Sequence, residues 1–392
     1  MVLIGIVGKP NAGKSTLLNA ISDANAQVAS YPFTTISPNK GIAFVSSPCP
    51  HKELGLATCN SRNSKCENGT RLIPINVVDV AGLVPGAHEG KGMGNQFLAD
   101  LGTADALIIV ADASGATDAS GNQVAEGSHD AVEDVSMLLN EFDLWLAGVL
   151  ERNAKKAKGR GVVEFAALLS GVRVTREELE NAFKTSSLDS AAYATYSAEQ
   201  FLPVATSLRE RTRPAIIAAN KIDSQFAEKN VENLKKAFPK IPVVPIAADA
   251  ELALKRGKEH GLLEYDGKTF KPSRGDLNPL LKEALARFQV KIFEKWGGTG
   301  TTKLLNALVF EVLGMVVAYP SEDENKFSDH FGRILPDAIL LHKGSRPVDL
   351  AGAIHTDLAT HFLYAVDAKK KVRVGKDHEL KTGDVIRIVS TK

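Results

Sequence analysis

The sequence predicts an α/β protein. A mostly parallel sheet with flanking helices carries an α-helical insertion and is followed by a small separate α+β domain. Three observations carry this. Apolar runs of strand length recur at residues 2–7, 73–78, 106–110, 215–219 and 243–246, each closing on a polar or glycine-bearing turn. Residues 130–211 have helical spacing with few strand-like runs, and they are far longer than a crossover between parallel strands needs. From about Met315 the pattern changes to short β-like runs separated by turns.

Composition sets the outer bounds. At 392 residues the chain is too long for one ordinary core, so two or three domains are expected. Lys and Arg number 47 against 46 Asp and Glu, so no global basic surface points to nucleic acid and an RNA contact would need a local patch. The opening apolar run is too short for a signal peptide. The stretch 304–319 is interrupted by Glu311 and Gly314 and is too short to span a bilayer. The expectation is a cytoplasmic protein with no membrane partner, acting as a monomer.

Taken in order, the first strand runs into Gly8-Lys9-Pro10-Asn11-Ala12-Gly13-Lys14-Ser15-Thr16 and then the apolar helix start Leu17-Leu18. This satisfies G-x-x-x-x-G-K-[ST] between a strand and a helix, the setting of a phosphate-binding loop. Backbone N–H groups and the helix N-terminus face a phosphate. Lys14 can reach the β- and γ-phosphates, and the Ser15 hydroxyl can ligate Mg²⁺. The fold class is therefore that of the P-loop NTPases. Next come a Pro-bounded loop, Ser30-Tyr31-Pro32-Phe33-Thr34-Thr35, a strand at 41–45 and its expected partner at 73–78. Between these two strands, residues 48–69 read as a polar excursion holding Cys49, Cys59, Cys66 and His51. These offer four metal ligands but lack a C-x-x-C knuckle, so thiols in a loop are expected ahead of a disulfide or a zinc site.

Asp79-Val80-Ala81-Gly82 closes the 73–78 strand, as the Mg²⁺-side Asp and γ-phosphate-side Gly of a nucleotide switch would. Glycines at 86, 90, 92 and 94 predict a mobile loop, with a helix at 95–101. Thr175-Arg176-Glu177-Glu178 is a capping box inside the helical insertion, which should form two antiparallel arms. The strand at 215–219 ends in Asn220-Lys221-Ile222-Asp223, the element that selects the base. Asp223 can accept the N1–H and 2-amino hydrogens of guanine, while Asn220 addresses the base edge and the Lys221 stem packs on the ring. Adenine offers neither hydrogen and would leave the carboxylate unpaired.

This set of motifs resembles the Obg-related GTPases, and within them the YchF branch. The resemblance rests on Gly8 to Thr16, Tyr31-Pro32-Phe33-Thr34-Thr35, Asp79-Val80-Ala81-Gly82-Leu83-Val84 and Gly94-Asn95-Gln96-Phe97-Leu98. Leu335-Pro336-Asp337-Ala338 and Ile354-His355-Thr356-Asp357-Leu358 look like a TGS domain, a ubiquitin-like β-grasp module. The implied division is a GTPase domain at 1–129 and 212–314, a helical insertion at 130–211 and a TGS domain at 315–392.

By resemblance, Asn11, Ala12, Gly13, Lys14, Ser15 and Thr16 would hold the phosphates. Ser15 and Thr35 would ligate Mg²⁺, with Asp79 acting through water. Catalytic work falls to Lys14, Thr35 and Gly82. Asn220, Lys221 and Asp223 would read the base, helped by backbone at Ala247 and Ala248. Related loops of the form G-x-P-N-x-G-K-S imply a K⁺ ligand at Asn11, against a plain loop cap. Leu83 replaces the water-orienting Gln of small GTPases, and His88 and His129 are candidate helpers or ordinary solvated histidines.

The implied function is Mg²⁺-dependent hydrolysis of GTP, with ATP as an alternative, by a nucleotide-dependent switch linked to the ribosome or another RNA–protein assembly. Competing readings are an ATP-preferring YchF-type ATPase acting on a protein partner, a metabolic phosphotransferase, and a scaffold whose nucleotide is structural.

Overall fold

The structure is a computed structural model, and it describes residues 2–22, 39–80, 85–89, 101–273 and 278–391. The strands β1 (Leu3–Val7), β2 (Lys40–Pro48), β3 (Lys65–Glu67), β4 (Thr70–Asp79), β5 (Ala106–Asp112), β6 (Ala215–Asn220) and β7 (Val243–Ile246) form the main sheet. Its order among the described residues is β2-β4-β1-β5-β6-β7, with β3 pairing β4. All neighbours from β4 to β7 run parallel, whereas β2 and β3 are antiparallel to β4.

β5 and β6 are buried along their whole length, as strands covered on both faces must be. Their alternation splits the core in two. Leu107, Ile109, Ala111, Ile217 and Ala219 face a cluster that includes Val135, Leu138 and Phe142. Ile108, Val110, Ile216 and Ala218 face Leu17, Leu304 and Leu308.

Between β5 and β6 lie helices Ala131–Lys156, Gly161–Leu168, Arg176–Thr185 and Ala198–Thr212. The expected capping box forms: Thr175 caps Glu178, whose carboxylate accepts from the Thr175 N–H at 2.7 Å. The first and last of these helices pack together, and inside their contact Arg209 grips Asp143 through Nε–Oδ1 at 2.6 Å and Nη2–Oδ2 at 3.2 Å. No helix among the described residues is long and apolar enough to cross a membrane.

A hairpin of β8 (Leu263–Tyr265) and β9 (Phe270–Pro272) was not legible from the sequence. Helix Pro279–Phe288 continues into a π-helical turn, Gln289–Glu294, and helix Thr301–Asn306 does the same over Ala307–Val312. The C-terminal sheet holds β10 (Met315–Ser321), β11 (Ile339–His342), β12 (Phe362–Asp367), β13 (Val372–Val374) and β14 (Val385–Ser390). Its order β11-β10-β14-β12-β13, with the central pair parallel and helix Pro347–Ile354 packed against it, is β-grasp-like.

The excursion between β2 and β4 is a loop in part: Cys49 and Cys59 lie outside helices and strands, as expected, and Cys66 lies in a strand. It folds into a short helix, Pro50–Glu53, and β3, and Cys49 is buried. No disulfide joins the three cysteines. The excursion is also the seat of the C-terminal sheet. Asn63 exchanges two hydrogen bonds with Ala338, at 3.0 and 2.9 Å, and the Asn60 N–H donates to Ile334 at 2.8 Å. The core continues across, since Tyr319, Leu335 and Val385 belong to the same apolar cluster as Leu304 and Leu308.

Candidate nucleotide site

The phosphate loop leaves β1 and turns through Asn11, at φ 61°, and Gly13, at φ 99°, into helix Lys14–Ile21. A side chain at Gly13 would stand 2.2 Å from the Asn220 amide, so that position admits only glycine. The closeness is structural, because Asn220 ties two loops together. Its Nδ2 donates to the Ala12 carbonyl at 3.0 Å and its Oδ1 accepts from the Ala248 N–H at 3.1 Å. The Ala247 N–H is held by the Thr299 carbonyl at 2.9 Å. In this conformation the N–H groups of Ala247 and Ala248 shape the loop wall and do not point free into the site.

Lys14 is buried, with Nζ donating to the Lys9 carbonyl at 2.9 Å. Burial pulls its ammonium below the ordinary lysine range, partly offset by the charge of Asp79. The Ser15 hydroxyl donates to Asp79 Oδ2 at 2.5 Å, across the gap between helix start and β4 end. The other oxygen, Asp79 Oδ1, is buried with no hydrogen-bond partner among the described residues. A hydroxyl, an orphaned carboxylate oxygen and a neighbouring lysine are the donor set expected around Mg²⁺ and a triphosphate, so the residues fit. Thr35 and Gly82, and with them Leu83, lie outside the described residues.

On the other side, Lys221 adopts φ 67° and donates to Asp112 Oδ2 at 2.8 Å. Burial opposes ionisation of Asp112, but hydrogen bonds from Lys221, Ser114 and Thr117 hold its carboxyl below the usual range. Lys221 and Asp223 line a cavity of about 580 Å³ together with Ser114, Asp249, Arg287 and Lys291. Asp223 has no hydrogen-bond or ion-pair partner among the described residues, so its carboxylate is open to the cavity.

Three features escaped the sequence reading. Lys9, one of the unspecified positions of the loop motif, is fully buried and ion-paired to Asp134 at 2.7 Å, which His129 also holds at 2.7 Å. His88 is held by Glu141, whose carboxylate accepts from the Gly86 and His88 N–H groups at 2.7 and 3.0 Å. Neither histidine is a freely solvated side chain. The Asn11 amide donates to the Gly121 carbonyl at 2.9 Å, and its Oδ1 has no partner among the described residues.

Over its whole length the chain is 49% identical to an uncharacterised GTP-binding protein of Methanocaldococcus jannaschii, of which it covers 99%. The chain belongs to the YchF and Obg-like GTP-binding proteins. Family profiles described as 50S ribosome-binding GTPase, as the G4 motif-containing domain of Obg-like YGR210-like GTPases, and as TGS domain match this Obg-like protein at residues 3–141, 218–323 and 332–390. The crystal structure of a GTP-binding protein from Pyrococcus horikoshii superposes on all of it with a TM-score of 0.79 at 34% identity, covering 100% of both chains. Bacillus subtilis YchF, named a ribosome-binding ATPase, is 27% identical over 97% of each chain. The P-loop fold and the C-terminal TGS domain follow from these matches together with the two sheets.

Proposed function

We propose that this GTP-binding protein hydrolyses GTP in a Mg²⁺-dependent manner and works as a nucleotide-dependent switch on a ribosome or related RNA–protein assembly. The observation that carries the hydrolysis reading is the Lys14, Ser15 and Asp79 cluster with its orphaned Asp79 oxygen. Ser15 and Asp79, with Thr35, would hold Mg²⁺, which when bound supplies charge neutralisation to phosphoryl transfer. Lys14 brings a desolvated positive charge to the phosphates, where it acts more strongly than in water. The open Asp223 carboxylate favours guanine. The names of the B. subtilis relative and of Obg-like ATPase 1 keep ATP as the second reading. Ribosome association rests on relatives' names and on the TGS match. The two separate sheets, with the helices between β5 and β6, support a division at 1–129 with 212–314, 130–211, and 315–392.

The test is multiple-turnover phosphate release from GTP and from ATP, with and without Mg²⁺, in wild type and Lys14→Ala. Mg²⁺-dependent GTP turnover that the substitution abolishes is expected, and a single turnover with retained nucleotide would favour the scaffold. The same assay in K⁺ and in Na⁺ addresses Asn11, whose partner-free Oδ1 we propose as a K⁺ ligand. Equal rates in both salts would leave Asn11 as the loop tie to Gly121.

A further inference from the structure

The cysteine-bearing excursion takes no part in the nucleotide site, yet it gathers the chain's thiols in one place. Cys49 follows the end of β2, with its N–H held by the Gly69 carbonyl at 2.8 Å. His51 stands in the short helix Pro50–Glu53, Cys66 in β3, and Cys59 on the stretch between them. The four ligand atoms all lie within 4.8 Å of one another. A tetrahedral zinc with Zn–S near 2.3 Å and Zn–N near 2.0–2.1 Å separates two sulfurs by about 3.8 Å and a sulfur from a nitrogen by about 3.5 Å. Here the Cys49 and Cys59 sulfurs are 3.9 Å apart, and the Cys66 sulfur is 3.7 Å from His51 Nδ1. We propose that Cys49, His51, Cys59 and Cys66 form a closed structural zinc site that fixes the excursion as the seat of the C-terminal sheet.

A second, independent observation concerns charge. Arg71 is fully buried and lies opposite Cys66 in the β3–β4 register. Its Nη1 donates to Ser64 Oγ at 3.0 Å and its Nη2 to the Leu335 carbonyl at 2.7 Å, while its Nε is buried without a partner. No carboxylate among the described residues forms an ion pair with it. A buried guanidinium lacking an anion is costly. Zinc displaces the three thiol protons and leaves His51 neutral, so three thiolates and Zn²⁺ carry a net charge of −1. Arg71 balances that charge, and its bond to the Leu335 carbonyl ties the excursion to the segment ahead of β11. Tetrahedral ligation by thiolate and imidazole suits zinc over the harder divalent ions.

The test uses the full-length chain, purified without chelator, with metal content read by mass spectrometry and the coordination shell by zinc X-ray absorption. The expected result is about one zinc per chain in a shell of three sulfurs and one nitrogen. Cobalt substitution of the wild type should give thiolate charge-transfer bands and tetrahedral d–d bands. Chelation should lower the melting temperature and open residues 48–69 to proteolysis, and both should reverse on zinc addition. Cys66→Ser and Cys59→Ser should each lose most of the zinc. Because such variants can fail to fold, the wild-type measurements stand by themselves. Less than about a tenth of an equivalent after incubation with excess zinc, an oxygen-only shell, bound iron, or a Cys49–Cys59 disulfide in the purified chain would each overturn the proposal.

Discussion

Asp112, bonded to Lys221, and Asp223, which lines the same cavity as Lys221, are two carboxylates set up for opposite tasks. Asp112 has its partners already: Lys221, Ser114 and Thr117. Asp223 has none among the described residues and faces the cavity. Replacing Asp223 with Ala should therefore weaken GTP binding by about 10²-fold and leave ATP binding nearly unchanged, as equilibrium titration with both nucleotides would show. Equal losses for the two would remove Asp223 as the base reader. Asp112 should act on stability and not on selectivity. Its folded-state value lies below its unfolded one, so its contribution is complete above the ordinary Asp range and disappears as pH falls through the lowered value. Asp112→Asn should cost about 2 kcal/mol at neutral pH in urea melts, and the gap to wild type should close in acid. A gap independent of pH would mean that the aspartate's charge contributes nothing. Sequence motifs located most of these groups, because each sits where a strand ends. Lys9 was not legible, since nothing local to Gly8-Lys9-Pro10 indicates an ion pair with Asp134 far along the chain.

Among the elements, those with strong periodicity or unbroken apolar runs were readable. β5 and β6 are continuous apolar strands and announced themselves; β8, β9 and β13 are three residues each and carry no period to detect. The excursion holds only a four-residue helix and a three-residue strand, too short to carry a period, and its order comes from packing under the C-terminal sheet. The helical insertion was legible as helices, but its internal lock was not. Arg209 and Asp143 are both buried, so Arg209→Met leaves a buried carboxylate behind and should cost about 3–5 kcal/mol in denaturant melts. The double variant Asp143→Leu, Arg209→Met should recover most of that loss, and the cycle isolates the pair. A single variant as stable as wild type would show that the pair is solvated.

For the molecule as a whole, the near-neutral charge makes a local patch the only basis for an electrostatic partner. Lys155, Lys156, Lys158 and Arg160 are all exposed at the end of helix Ala131–Lys156, and Glu151 already pairs Lys155 at 2.7 Å. If this end touches ribosomal RNA, co-sedimentation with ribosomes should weaken as salt rises, and Lys156→Glu with Lys158→Glu should flatten that dependence. Binding that ignores both salt and charge reversal would direct attention to the TGS domain. The same helix meets the nucleotide side twice, through Asp134 to Lys9 and through Glu141 to Gly86 and His88. It is 26 residues long, about 39 Å at 1.5 Å per residue. With Asp134 as fulcrum, Glu141 lies about 10 Å along the rod and Lys156 about 33 Å along it. Pivoting rigidly about Asp134, the rod would act as a lever with a gain of about three. A shift of 1 Å where Glu141 grips the chain behind Asp79 would sweep the basic tip through about 3 Å, so a spectroscopic label near Lys156 would read the site's motion already amplified.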